Sequence, residues 1–155
     1  MDGNNIVELT PSDIKSINNI CISYWGEESL YQEDVLTNII SQNLSYGIKI
    51  LGDLMAFCLM KRVGKQCTIF LIAVKPNYTK KGLGKAILSF CLDNAMNKGL
   101  NTFTLHVQDT NKVAIHLYEK CGFKYEGLFK NHVNIHGKIK SLKWYAILKE
   151  EFEER

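Results

Sequence analysis

The stretch from residue 67 to residue 89, CTIFLIAVKPNYTKKGLGKAILS, constrains the fold more than any other part of the chain. Residues 68–74 form an apolar run that predicts a buried strand, and Pro76 ends that strand because proline has no N–H to donate to a sheet ladder. An amphipathic helix is predicted to begin at or near Gly82. A strand, a glycine-containing loop and a helix N-terminus in this order form an anion site, because the N–H groups of the first helical turn and the helix dipole both face the loop.

The loop fails to match two common phosphate-binding fingerprints. A P-loop, G-x-x-x-x-G-K-[ST], needs a glycine where Thr79 stands and a hydroxyl residue where Ala86 stands. A dinucleotide motif, G-x-G-x-x-G, needs its third glycine where Ile87 stands. What remains is a strand followed by V-x-P-x-Y-x-x-x-G-x-G, in which the two glycines let the backbone come close to a pyrophosphate.

This pattern resembles the pyrophosphate-arm motif of the GNAT superfamily of acetyl-CoA-dependent N-acetyltransferases. The residues that carry the resemblance are Val74, Pro76, Tyr78, Gly82 and Gly84. The family usually has Arg or Gln three residues before the first glycine, where this chain has Thr79. Taken alone, the segment also fits an ordinary helix start with solvated lysines.

A second stretch, LHVQDTNKVAIHLYEKCGF at residues 105–123, resembles the other signature of the superfamily, N-x-x-A-[IV]-x-x-Y-x-x-x-G-F. The matching residues are Asn111, Ala114, Ile115, Tyr118, Gly122 and Phe123. The two motifs stand in the family's order and at its separation, and the resemblance extends over residues 5–148.

The order of predicted elements, β-α-α-β-β-β-α-β-α-β-β, favours an α/β (α+β) fold. The resemblance implies the GNAT fold, a mixed, mostly antiparallel sheet of about seven strands flanked by about four helices and splayed between strands 4 and 5. Residues 1–155 are expected to form a single domain. Apolar spacing assigns Val35 and Val113 to buried helix faces, and the charged tail at residues 149–155 is expected to be frayed.

The resemblance also implies where acetyl-CoA binds, in a cleft where the central strand and the next one separate. Backbone groups there would hold the pantetheine arm and polarise the thioester carbonyl; they belong to Ile72, Ala73 and Val74. The pyrophosphate would bind at the loop and helix start, formed by Thr79, Lys80, Lys81, Gly82, Leu83, Gly84 and Lys85. Asn111 and Ala114 would contact the cofactor, and Tyr118 would protonate the leaving sulfur. Core packing is the alternative for Tyr118.

A general base is needed because only a neutral amine attacks a thioester. His106 lies on the strand that follows the long helix, and an imidazole with an ordinary pKa near 6.5 is able to accept a proton directly or through water. Its LHV context resembles eukaryotic N-terminal acetyltransferases of the NatE and NatF types, whereas bacterial ribosomal-protein alanine acetyltransferases tend to have Glu at this place. The alternative is a hydrogen-bonded strand histidine without a catalytic role.

The acceptor is expected to bind between the first two helices and at the last hairpin. The segment WGEESL at residues 25–30 resembles the W-S-x-x-S-[LF] loop of the ribosomal alanine enzymes. The candidate acceptor-binding residues are Tyr24, Trp25, Glu27, Glu28, Tyr31, His106 and His132. Two departures weaken a peptide acceptor: Thr68 stands where the NatE type has a catalytic tyrosine, and residues 131–133 lack the family's peptide-binding tyrosines.

Three functions therefore stay open. The first is acetylation of a protein N-terminus. The second is acetylation of a small amine, such as a polyamine, an amino sugar or a drug, because the hairpin GLFKNHVNIHGK at residues 127–138 resembles that of bacterial enzymes acting on internal residues or small amines. The third is an acyl-CoA-binding module without turnover.

Composition limits the possible binding partners and the cellular location. A net charge of +3 is too small to indicate nucleic acid binding, and no apolar run is long enough to span a bilayer. The five cysteines are spread through apolar segments, which favours buried reduced thiols and a cytoplasmic protein without a metal site. A monomer or a homodimer is expected.

Overall fold

In the computed structural model, which describes residues 5–27, 30–135 and 138–154, the chain builds one mixed sheet with helices on both faces. The strands are β1 (Ile6–Glu8), β2 (Tyr46–Ile50), β3 (Asp53–Val63), β4 (Gln66–Val74), β5 (Thr102–Gln108), β6 (Lys124–Ile135) and β7 (Lys138–Leu148). The helices are α1 (Ile14–Trp25), α2 (Glu33–Ile40), α3 (Leu83–Asn97), α4 (Lys112–Lys120) and α5 (Lys149–Glu154). The seven strands lie in the order β1-β2-β3-β4-β5-β7-β6, and β4 and β5 are parallel while the other neighbours are antiparallel. The predicted mixed sheet is confirmed.

A seam opens between the two parallel strands. β4 pairs with β5 only at its start, and the last paired residues are Thr68 and Thr104. On its other edge β4 stays paired with β3 as far as Val74. A register shift between these two strands adds Phe70 as an extra residue, a β-bulge that disrupts the ladder beside the opening. The predicted splay between strands 4 and 5 is thus confirmed, and we call the opening the seam.

Two apolar clusters pack against opposite faces of the sheet. On one face α3 and α4 cover a cluster that includes Ile87, Phe103 and Tyr145. On the other face α1 and α2 bury a cluster around Ile17 and Leu36 against β3 and β4. Strand side chains alternate between these faces, so each residue of β5 points either into the first cluster or to the side on which α1 and α2 lie.

The C-terminal tail differs from its prediction. Instead of fraying, residues 149–154 form α5, and the Phe152 side chain is buried in the α3 and α4 cluster. Glu151 accepts a hydrogen bond from the Leu148 N–H at 3.0 Å and pairs with Lys124 at 2.5 Å. One buried aromatic ring therefore docks a helix whose remaining residues are charged.

Two helix faces are also corrected. Val35 and Val113 are 41% and 85% exposed, although apolar spacing assigned both to buried faces. In α4 the buried positions are Ile115 and Tyr118, three residues apart, because a nine-residue helix turns only one narrow stripe toward the sheet. All five cysteines are buried thiols, as predicted. Within residues 5–27, 30–135 and 138–154, no helix combines the length and apolarity needed to cross a membrane.

Candidate active site

The loop between β4 and α3 has the backbone of an anion site. Gly82 precedes α3 with φ +81°, a left-handed conformation that favours glycine, and no side chain caps the helix. The N–H groups of the first helical turn therefore keep their donor capacity, since a helix cannot satisfy them internally. Lys80 also adopts a positive φ of 63°, and such conformations in non-glycine residues cluster at binding sites.

Close packing at Gly84 brings three elements together beside this loop. A Cβ at Gly84 would lie 3.4 Å from Leu117 of α4 and 3.7 Å from Val74 of β4, whereas one at Gly82 would meet no atom within 4 Å. The side chains of Lys80, Lys81 and Lys85 are exposed around the loop, and the Lys81 ammonium lies 5.3 Å from the Tyr78 ring centroid. Gly84 thus allows close packing, while Gly82 faces open space at the positively polarised N-terminus of α3.

Backbone groups of β4 line the seam beyond Thr68. Ile72, Ala73 and Val74 pair with β3 on one edge and have no β5 partner on the other. The Tyr24 phenol donates a hydrogen bond to the carbonyl of Val74, which joins the end of α1 to the end of β4. An open strand edge that leads to an uncapped helix end surrounded by lysines fits a long phosphorylated thioester.

Tyr118 is buried on the α4 side of the sheet. Its ring packs edge-on against Phe123 with centroids 6.1 Å apart, and burial together with the nearby thiols of Cys58 and Cys121 raises the pKa of the phenol. The phenol therefore stays protonated at neutral pH. Asn111 caps α4, its carboxamide oxygen accepting the Ala114 N–H at 3.2 Å.

His106 lies on the opposite side, two residues beyond the last pair between β4 and β5. Its side chain is exposed, whereas its strand neighbours Leu105 and Val107 are buried in the α3 and α4 cluster. The hydroxyl groups of Thr68 and Thr104 meet at 3.1 Å on the same side, at the point where the strands part. The imidazole faces Trp144, its partner on β7, with ring centroids 5.3 Å apart.

Aromatic side chains from the end of α1, from the segment between α1 and α2 and from β4 border this face. Tyr24 and Trp25 are partly exposed and pack against each other with centroids 5.5 Å apart, while Tyr31 packs edge-on against Phe70 at 5.4 Å. Glu27 is exposed just after α1. Two expected acceptor residues lie outside the described part of the chain: Glu28 entirely, and His132 in its side chain. The roles assigned to all of these residues stay predictions.

Trp144 was missed by the sequence analysis, together with Phe129, whose ring meets the indole at 5.2 Å. Both stand in the last two strands, where Trp144 is followed directly by Tyr145. Only the pairing of β5, β7 and β6 brings Trp144 beside His106 and Phe129 beside Trp144. In the part of the chain that the structure describes, no three His, Cys, Asp or Glu side chains are grouped to hold a metal ion.

Comparisons with known proteins agree with this geometry. The acetyltransferase (GNAT) family matches residues 13–123. The [ribosomal protein bS18]-alanine N-acetyltransferase of Escherichia coli is 35% identical over 108 residues, which is 70% of each chain. The spermidine N(1)-acetyltransferase of Vibrio cholerae is 26% identical over 95% of this chain and 94% of its own.

A solved structure supports the same assignment. The crystal structure of the ribosomal-protein-S18-alanine N-acetyltransferase from Escherichia coli superposes with a TM-score of 0.80 at 26% identity, covering 92% of both chains. Because the family match covers more than half of the chain and the seam lies between the strands that the family separates, this chain belongs to the GNAT family and is an N-acetyltransferase.

Proposed function

We propose that the chain transfers the acetyl group of acetyl-CoA to the α-amino group of a protein N-terminus by direct attack in a ternary complex. The observation that carries the proposal is the seam, with exposed His106 on one face of the sheet and buried Tyr118 on the other. The reaction must remove one proton from the amine and deliver one to the departing thiolate. Groups on opposite faces serve these two transfers separately.

Acetyl-CoA supplies the acyl group as an activated thioester. The β4 edge at Ile72, Ala73 and Val74 would bind its pantetheine arm, and the uncapped start of α3 would bind its pyrophosphate. Lysine ammonium groups around the loop compensate the phosphate charge. Because the Asn111 carboxamide oxygen already caps α4, its contribution to cofactor binding comes from its N–H groups.

The pKa of the acceptor explains why a histidine suits an α-amine. At pH 7 an α-amino group with a pKa of about 7.7–8.0 costs about 1–1.4 kcal/mol to deprotonate, whereas a lysine with a pKa of about 10.4 costs about 4.6 kcal/mol. An imidazole with a pKa near 6.5 is able to deprotonate an α-amino group much more easily than a lysine ammonium. A histidine base therefore suits an N-terminal amine better than a lysine side chain.

The acceptor would reach the seam from the side of α1 and α2. Partly exposed Tyr24 and Trp25 and the Tyr31–Phe70 pair form the wall along which its first residues would lie. A small amine is the second candidate, because the spermidine enzyme of Vibrio cholerae matches this chain over nearly its whole length.

Release of free thiol from acetyl-CoA tests the two acceptors side by side. We expect turnover with peptides that begin with alanine, the acceptor residue named for the Escherichia coli relative, and none with the same peptides after N-terminal blocking. Turnover confined to spermidine, amino sugars or other small amines would replace the first candidate by the second.

The base is tested with a matched pair of histidine variants. We expect His106→Ala to lower kcat by about 10²–10⁴-fold with unchanged acetyl-CoA affinity, since general-base catalysis contributes that much. His116→Ala, at an exposed position on α4, is the control and should retain full activity. Equal activity of the two variants would remove His106 from the mechanism.

A further inference from the structure

Three aromatic side chains from neighbouring strands meet on the face of the sheet that carries His106. The imidazole of His106 and the indole of Trp144 have centroids 5.3 Å apart at an interplanar angle of 37°. The ring of Phe129 meets the same indole at 5.2 Å and 86°, an edge-to-face contact. We call these three residues the aromatic stack. Trp144 is its middle member and contacts both of the others.

Hydrogen bonding does not account for a tryptophan at this position. The Trp144 indole N–H is buried and has no acceptor among the residues that the structure describes, and an unpaired buried donor is unfavourable. The ring therefore contributes through its contacts with two neighbouring rings, one tilted and one edge-to-face, and not through its polar atom. Phe129 is 45% exposed, so the stack lies at the border between the sheet and solvent, beside the site where the acceptor would bind.

The aromatic stack contacts His106, and the proposed reaction requires the His106 side chain to keep one orientation. A base must point its nitrogen at the incoming amine, which requires the side-chain torsion angles of the histidine to be held. The indole packed against the imidazole restricts the orientations that the imidazole can take. An indole face also attracts a cation, so it stabilises the imidazolium that forms when His106 takes the proton.

We propose that Trp144 is a positioning residue that holds His106 in its proton-accepting orientation, with Phe129 supporting the indole from the other side. The inference rests on the proposed role of His106 as general base. It adds a residue whose effect on turnover passes entirely through His106. Trp144 itself contacts neither the acetyl group nor the amine in this scheme.

A double-mutant cycle between Trp144→Leu and His106→Ala tests this dependence. We expect Trp144→Leu to lower kcat about ten-fold, the scale of a misaligned catalytic group, and to change the KM for acetyl-CoA less than two-fold. In the His106→Ala background the same substitution should change kcat less than two-fold. Trp144→Phe keeps a ring against the imidazole and removes the unpaired donor, so it should retain kcat to within about three-fold with no loss in Tm.

The cycle separates failure of this inference from failure of the proposed function. If His106→Ala is inactive while Trp144→Leu is fully active, the base stands and the positioning role is refuted. If Trp144→Leu lowers kcat equally in both backgrounds, Trp144 acts independently of His106 and the inference is overturned. If His106→Ala itself retains full activity, the proposed base fails first and the positioning role falls with it.

Two further variants, Tyr125→Leu and Phe129→Leu, distinguish a specific effect on His106 from a general effect on folding. Tyr125→Leu removes an aromatic ring from the other face of β6, where Tyr125 packs against Tyr145 at 5.8 Å, and it should leave kcat unchanged. If Trp144→Leu does not fold, Phe129→Leu enters the same cycle, because it loosens the support of the indole from a partly exposed position. Full activity of Phe129→Leu in that case would count against the stack.

Discussion

Alanine substitutions at the two glycines beside the anion loop should affect stability differently: only the substitution at Gly82 should lower it. Gly82 has φ +81°, and forcing a residue with a Cβ into the left-handed region costs about 1–2 kcal/mol. Gly82→Ala should therefore lower the free energy of unfolding by about 1 kcal/mol, which lowers Tm by about 2–4 °C in a chain of this size. The added Cβ meets no atom within 4 Å, so strain in the backbone is the whole cause.

Gly84 lies inside the first turn of α3, where alanine has the better helix propensity. The new Cβ would lie 3.4 Å from a Leu117 methyl group, an ordinary contact, so Gly84→Ala should keep stability or raise it by up to about 1 kcal/mol. Gly82→Asn provides the control, because asparagine tolerates left-handed backbone and should restore most of the stability that alanine loses.

Acetyl-CoA affinity and stability should change independently in the Gly82 variants. A side chain at residue 82 occupies the open space through which a pyrophosphate would approach the N–H groups of α3, so both Gly82 variants should bind acetyl-CoA at least ten-fold more weakly. Thermal unfolding with and without acetyl-CoA measures both quantities, and each ten-fold loss of affinity removes about 1.4 kcal/mol of ligand stabilisation. Undiminished acetyl-CoA stabilisation of Gly82→Ala and Gly82→Asn would refute the assignment of this loop to the pyrophosphate.

Two further predictions concern the buried core. Phe152→Ala should lower the free energy of urea unfolding by about 3–5 kcal/mol, because the ring is buried in the α3 and α4 cluster; a loss below about 0.5 kcal/mol would mean that α5 is not docked. Burial raises the pKa of the Cys67 thiol to about 12, while an unfolded thiol ionises near 8.5, so the unfolded state loses its proton first and stability falls as the pH rises above about 8.5. The loss from this thiol is about 2 kcal/mol at pH 10, and Cys67→Ala should show a correspondingly shallower decline; parallel pH curves for the two proteins would contradict it.

The parts of the fold that were predicted correctly depend on residues close together in sequence. Pro76 and Gly82 mark the end of a strand and the start of a helix by their own backbone limits, and the structure places β4 and α3 on either side of them. Asn111, directly before α4, likewise caps that helix with its own carboxamide oxygen. A short-range steric or hydrogen-bonding rule is sufficient for each.

The corrected elements depend on packing against distant parts of the chain. The tail sequence KEEFEE has too little apolar surface to form a helix alone, and it becomes α5 because Phe152 reaches the α3 and α4 cluster. Val113 is exposed because the docking angle of α4, and not its apolar content, selects the buried stripe.

The features of the candidate site also fall into those set by the local sequence and those set by tertiary structure. The amino-acid sequence by itself determined the chemistry that is present: a glycine loop with lysines at a helix start, a tyrosine in the second motif and a histidine on the next strand. Only the tertiary structure decided that β4 and β5 part after Thr68 and that Trp144 of β7 lies beside His106 of β5. Strand register and separation are set by long-range pairing and by the packing of helices on each face, and no local pattern encodes them.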